Sequence, residues 1–254
     1  MPGSTLRTEE NVLDARSQRI YLSALGTPLY RRRSREAAPD DPTAPAMESQ
    51  PPLLEEEGGD YGPLAPEGRE GALAALREEV AGCTACPLHE SRTQTVFGVG
   101  DPHARVMFVG EAPGGEEDRR GEPFVGRAGQ LLDAMLASLG LDRKEGGVFI
   151  ANVLKCRPPN NRDPKPEEVA QCAGYLRRQI ELVQPRVLVA LGRVAAQQLL
   201  GSQQPLARLR GQEHRFHETP VLVTYHPAYL LRNPADKAKA WEDLKAVRRR
   251  AAGD

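Results

Sequence analysis

The stretch that decides the fold is residues 106–129, VMFVGEAPGGEEDRRGEPFVGRAG. Val106, Met107, Phe108 and Val109 form an apolar run that stops at Gly110, Glu111, Ala112, Pro113, Gly114 and Gly115, too rich in glycine and proline to continue a strand or a helix. A strand therefore runs into a loop. The loop carries one carboxylate, Glu111, at the strand end, and one aromatic ring, Phe124, just before a helical pattern opens at Arg127. Loops held at strand ends by a rigid sheet are where active sites tend to sit, although a surface turn with solvated charges explains this stretch equally well on its own. The acids in between, Glu116, Glu117 and Asp118, read as solvated loop residues.

Outward from this stretch, strand-like apolar runs occupy 105–109, 148–151, 186–191 and 221–224, and helical patterns occupy 72–80, 127–139, 166–183, 194–200 and 234–250. Strands separated by helices imply parallel pairing through right-handed crossovers, so the fold class is α/β: a three-layer α/β/α sandwich around a central, mostly parallel four-stranded sheet. In such a sheet the ligand crevice lies beyond the carboxyl ends of the strands. Those ends carry Gly110 and Glu111, then Asn152, then Gly192, then Tyr225 and His226, so Glu111, Asn152 and His226 are expected on one rim. A lone histidine at a strand end is more often a structural hydrogen-bonding residue; a position opposite Glu111 and Asn152 favours catalysis. Leu230 and Leu231 would ordinarily be core, but beside Arg232 they can also form an apolar wedge that enters a base step.

The charge distribution separates a tail from a body. Residues 1–70 hold 8 Lys and Arg against 13 Asp and Glu, a net of −5, which leaves 26 and 22, a net of +4, for the other residues. A mildly basic body permits nucleic-acid binding without demanding it. The tail contains a short amphipathic pattern at 12–25, a basic cluster at 31–35 and a Pro-, Gly- and acid-rich linker at 37–68 that is too poor in apolar surface to offset its ordering entropy. The expected organisation is a disordered extension over 1–70 and one folded domain over 71–254. No apolar run approaches the roughly 20 residues needed to cross a bilayer. Charges near Met1 interrupt every candidate signal segment, so a cytoplasmic protein with no membrane contact is expected.

In that compartment the four cysteines, Cys83, Cys86, Cys156 and Cys172, are expected to be reduced thiols or metal ligands. One C-x2-C bite with two further cysteines suits a tetrahedral thiolate site for zinc or an iron–sulfur cluster, and spacing alone does not choose between them. Four separate buried thiols are the simpler alternative. The loop after Cys156, RPPNNRDPKP over 157–166, is stiffened by proline, and with Lys155, Arg157, Arg162 and Lys165 its chemistry suits phosphate contact.

Taken together, the motifs Cys83-Thr84-Ala85-Cys86-Pro87, Gly110-Glu111-Ala112-Pro113-Gly114, Gly121-Glu122-Pro123-Phe124-Val125-Gly126, Asn152-Val153-Leu154-Lys155-Cys156-Arg157, Cys172 and His226-Pro227-Ala228-Tyr229-Leu230-Leu231 resemble those of the family 4, iron–sulfur type uracil-DNA glycosylases. The resemblance implies a [4Fe–4S] cluster on the four cysteines and a monomeric enzyme acting on uracil-containing DNA. It implies that Phe124 stacks on the flipped uracil, that Asn152 reads its Watson–Crick edge, and that His226 lies near uracil O2. Glu111 would handle the attacking water or the sugar charge, with Gly110, Asn161, Leu230 and Arg232 also contacting substrate. A non-catalytic nucleic-acid-binding or polymerase-associated module of the same fold is the alternative.

Overall fold

Val106–Gly110 forms a strand because its five residues offer alternating side chains to two apolar layers and no polar group that would seek water. Val106 and Phe108 pack into one buried cluster, whereas Met107 and Val109 pack into the other, so this strand is covered on both faces. The computed structural model describes residues 66–253; the amphipathic pattern at 12–25, the basic cluster at 31–35 and nearly all of the linker lie outside them. The described elements are α1 (Pro66–Ala81), α2 (Leu88–Ser91), β1 (Val99–Gly100), β2 (Val106–Gly110), α3 (Gly115–Arg120), α4 (Arg127–Ser138), β3 (Val148–Asn152), α5 (Pro166–Val183), β4 (Val187–Leu191), α6 (Arg193–Leu200), α7 (Leu206–Leu209), β5 (His214–Phe216), β6 (Thr219–Thr224), α8 (Pro227–Arg232) and α9 (Lys237–Ala252).

The sheet order is β1-β3-β2-β4-β6-β5. The four inner strands are parallel, as expected from the alternation of strands and helices. Two short antiparallel edge strands, β1 beside β3 and β5 beside β6, raise the count from the expected four to six. Strands of two and three residues are too short to show a period in the sequence. Helix α1 begins at Pro66, ahead of the pattern that starts at Ala72, and α3 and α8 form where loop alone was expected.

Helices α1, α5 and α6 cover one face through residues such as Leu76, Leu176, Ile180 and Leu199. On the other face, Leu132 and Leu136 of α4 and Val247 of α9 meet Val106, Phe108, Ile150 and Val189. Each fully buried Leu, Ile, Val or Phe stabilises the fold by about 1.5–3 kcal/mol relative to leaving it in water. Among the described residues no helix is long and apolar enough to cross a membrane. From β2 the chain crosses to β3 on one side and then to β4 on the other, so β2 stands at the point where strand order reverses, which is where an open parallel sheet forms its crevice.

Candidate active site

A cavity of about 450 Å3 opens over the carboxyl ends of the inner strands, and Glu111, Phe124, Asn152, Asn161, His226 and Arg232 all line it. Register brings the first pair together: Gly110 of β2 stands opposite Asn152 of β3. Gly110 leaves the space that the site needs. A Cβ there would lie 2.3 Å from Asn152 Oδ1 and 2.6 Å from Phe124 Cζ. Asn152 is 1% exposed, and its Oδ1 has no hydrogen-bond partner. A buried acceptor left unpaired costs about 1–3 kcal/mol, so this oxygen is set up for a donor that the protein does not supply.

Phe124 holds a left-handed backbone with φ +54°, a conformation that costs a side-chain-bearing residue roughly 1–2 kcal/mol. Several groups hold it there. Arg143 donates to the carbonyls of Pro123 (2.8 Å) and Phe124 (3.0 Å). Glu117 Oε1 accepts from the N–H groups of Val125 (2.9 Å) and Gly126 (3.1 Å), and its other oxygen accepts from Gly114 (3.1 Å). Gly129 lets the Phe124 carbonyl lie against α4, where a Cβ would collide with it at 1.7 Å. Glu117 is thus a clamp and not the solvated acid that the sequence suggested. Asp118 is also structural, since it is 4% exposed and accepts from the N–H (2.9 Å) and hydroxyl (2.6 Å) of Thr93.

His226 caps α8: its Nδ1 accepts from the N–H of Ala228 at 3.1 Å. A ring nitrogen that accepts carries no proton, so in the neutral ring Nε2 is the protonated nitrogen and the donor. Burial, helped by Arg232, pushes the His226 pKa down to about 4, with Glu117 opposing, so the ring is neutral near pH 7. Its ring lies 5.5 Å from that of Phe124, tilted by 34°. Gly192, at φ +92°, passes so close that a Cβ there would stand 3.0 Å from His226 Cβ. Glu111, half-buried at the rim, has its carboxyl pKa raised by burial first and by Asp163 second, while Arg193 opposes.

Other expected residues fall differently. Leu230 is 0% exposed and packs with Leu131, Met135 and Leu244, so it is core and not part of a wedge; Leu231 beside it, at 36%, is exposed. The helical turn of α8 explains this, since consecutive residues face about 100° apart. Lys155 cannot reach phosphate: it is 1% exposed, and its Nζ donates to the carbonyl of Asn152 (2.7 Å) and to Gln179 Oε1 (2.5 Å). Burial lowers its pKa to about 8, with the thiols of Cys172 and Cys156 opposing. Within the proline-rich loop, Arg162 pairs with Glu168, and Arg157 donates to Asn161 Oδ1 at 2.8 Å, which leaves less free charge than the sequence implied. Arg232 remains exposed at the cavity edge. Sequence reasoning missed Arg143 and the clamping role of Glu117, and it placed Gly192 at a strand end without its close approach to His226. Glu117, three residues after Gly114 at a helix start, carries only the carboxylate half of a capping-box signal, since Gly114 has no side chain to complete it; Arg143 carries none.

Cys83, Cys86, Cys156 and Cys172 line a second cavity, between α1, α2 and α5. Arg92 Nη1 donates to Cys156 Sγ (3.1 Å), and the Lys155 N–H donates to Cys172 Sγ (3.3 Å). Burial pushes the Cys172 thiol up to about 11 and raises Cys156 too, so thiolates here need cationic company. The donor set fits a thiolate-bound metal centre. Among the described residues, however, no three His, Cys, Asp or Glu side chains are gathered closely enough to grip a single ion. A larger hollow of about 660 Å3 lies between β6 and α9, but its acids and arginines are partly paired with one another, as in Arg250 with Glu213.

The model of the uracil DNA glycosylase superfamily matches residues 97–245, which span the whole sheet and leave out α1, α2 and the end of α9. The chain is 46% identical over 184 residues to the type-4 uracil-DNA glycosylase of Archaeoglobus fulgidus, covering 69% of this chain and 92% of that protein. It is likewise 46% identical over 184 residues to the type-4 uracil-DNA glycosylase of Thermotoga maritima (71% and 95%) and 44% identical over 186 residues to that of Sulfurisphaera tokodaii (70% and 84%). With the switch-point crevice, the rim of Glu111, Asn152 and His226, and this degree of identity over nearly the full length of those relatives, the chain belongs to the uracil-DNA glycosylase superfamily and, within it, to the type-4 family.

Proposed function

We propose that this protein is a DNA repair glycosylase that takes uracil out of the helix and hydrolyses its N-glycosidic bond, releasing free uracil and leaving an abasic site. The observation that carries the reading is the unpaired, buried Asn152 Oδ1, which lies beside Gly110 in a cavity that Phe124 and His226 also line. The amide oxygen accepts from uracil N3–H while the amide nitrogen donates to O4. Cytosine presents the opposite polarity at both atoms and would leave two groups unpaired. Phe124 supplies the face on which the base stacks.

Cleavage of the C1′–N1 bond leaves negative charge on the departing uracil. The neutral His226 ring, with Nδ1 occupied by the Ala228 N–H, has its Nε2–H left to donate to uracil O2 and stabilise that anion. Glu111 aligns the water that adds to C1′, takes its proton, or stabilises the positive sugar. Its raised pKa favours the proton-accepting role. Asn161, held by Arg157, helps to order this edge of the cavity. Leu231, in place of Leu230, is the apolar side chain exposed next to Arg232 for insertion into the duplex.

The four cysteines hold a [4Fe–4S] cluster. Four cysteines that line one cavity supply the full thiolate set such a cluster takes, and the type-4 relatives favour it over zinc. Bound there, the cluster supplies a structural tie between α1, the segment after β3, and α5. The protein acts as a cytoplasmic monomer on uracil-containing DNA. The test is to incubate the purified protein with a uracil-containing oligonucleotide, cleave abasic sites with alkali, and record the visible spectrum of the same preparation. Strand cleavage and a broad band near 400 nm are expected; intact strands from cluster-loaded protein refute the activity.

A further inference from the structure

We infer that Arg143 is a positioning residue for base recognition, acting through the Phe124 backbone; this rests on the glycosylase reading above. Arg143 lies in the connection between α4 and β3, 19 residues from Phe124 in sequence, and its side chain is 8% exposed. Its guanidinium donates to the Pro123 carbonyl (2.8 Å), the Phe124 carbonyl (3.0 Å), Glu122 Oε1 (3.2 Å) and Asp133 Oδ1 (2.8 Å). A planar fork with five donors reaches these acceptors together, whereas an ammonium on a flexible stem does not hold that geometry.

The bonds fall where Phe124 is strained. Its positive φ is not self-supporting, and the carbonyls on one side of the turn are taken by Arg143 while Glu117 takes the N–H groups of Val125 and Gly126 on the other. The two side chains form opposed jaws, and the ring that they fix reaches, as the amide of Asn152 also does, the space that Gly110 leaves open. Releasing one jaw lets the backbone relax towards negative φ and swings the ring away from the base, while leaving His226, Glu111 and the exposed Leu231 in place. Arg143 touches neither the substrate cavity nor any residue of the cysteine site directly.

The experiment compares wild type, Arg143→Met, Arg143→Lys, Phe124→Ala and the Arg143→Met/Phe124→Ala double variant. Readouts are single-turnover rate on a uracil oligonucleotide, inhibition by free uracil, affinity for an abasic-site oligonucleotide, and thermal midpoint. Arg143→Met is expected to lower the rate by about 100-fold, the effect of a 1 Å misplacement, and to weaken uracil inhibition. Abasic DNA has no base for Phe124 to stack on, so its affinity stays within about twofold. In the Phe124→Ala background the same change costs less than about threefold, because interacting residues are not additive. Equal losses in both backgrounds, or a wild-type rate in Arg143→Met, overturn the inference. If Arg143→Met does not fold, Arg143→Lys takes its place in both backgrounds, and the same two outcomes overturn the inference. A wild-type protein that leaves uracil DNA intact overturns the glycosylase reading itself and this inference with it.

Discussion

Replacing Gly110 by alanine adds one methyl group at the most crowded point of the site. Its Cβ would meet Asn152 Oδ1 at 2.3 Å and the Phe124 ring at 2.6 and 2.8 Å. Ordinary contact begins near 3.4 Å, so the amide must withdraw by roughly 1 Å, and the ring by slightly less. Neither can retreat freely, because Asn152 ends a central strand and Phe124 is clamped by Arg143 and Glu117. A 1 Å misplacement costs about 100-fold in rate. At 1.36 kcal/mol per factor of ten, that is about 2.7 kcal/mol of lost transition-state stabilisation. Overpacking itself costs typically 1–3 kcal/mol of stability. The assay is single-turnover cleavage of a uracil oligonucleotide at saturating enzyme, beside urea denaturation of the same preparation. A Gly110→Ala protein that folds and cleaves at the wild-type rate would refute the idea that Gly110 exists to let these two side chains meet.

The two adjacent leucines separate by burial: Leu230→Ala is expected to cost about 2–5 kcal/mol in denaturation because it empties a core site. Leu231→Ala should leave stability nearly unchanged and slow cleavage of duplex more than single-stranded substrate; an equal effect on the two substrates contradicts the wedge. His226 has a native pKa near 4 against an ordinary 6.5, so between those values the unfolded chain binds a proton that the folded chain does not. Its contribution is therefore complete above pH 6.5 and is lost as pH falls towards 4. Denaturation of wild type and His226→Gln at pH 7 and 4.5 should show a larger acid loss in the wild type. Arg210, paired with Asp243 at 2.9 Å and lying 4.2 Å over the Tyr225 ring, is mostly buried. Arg210→Met leaves Asp243 uncompensated and is expected to destabilise by about 3–5 kcal/mol, read as a lowered denaturation midpoint.

Much of the architecture was legible because it rests on local periodicity. The apolar runs that became β2, β3, β4 and β6, and the helical faces of α4 and α5, each contain enough residues for a pattern to repeat. The edge strands β1 and β5 were not legible, because their pairing is decided by the neighbouring strand and not by their own composition. At the site, Glu111, Asn152 and His226 could be assigned to one rim because a parallel sheet places every strand end at the same pole.

The sequence by itself determined the α/β class and the rim that gathers Glu111, Asn152 and His226, since both follow from residue type and spacing along the chain, whereas the base-recognition roles were implied by the motif resemblance and the switch point at β2 followed from the sheet order. Only the tertiary structure decided how those side chains are held. Phe124 keeps a left-handed backbone because Arg143, Glu117 and Gly129 reach it from other segments. Lys155 is withdrawn from solvent by a carbonyl and a glutamine 24 residues away, and Leu230 and Leu231 part ways according to which of them meets α4. Such assignments depend on which distant groups arrive at the same place, and no local pattern encodes that.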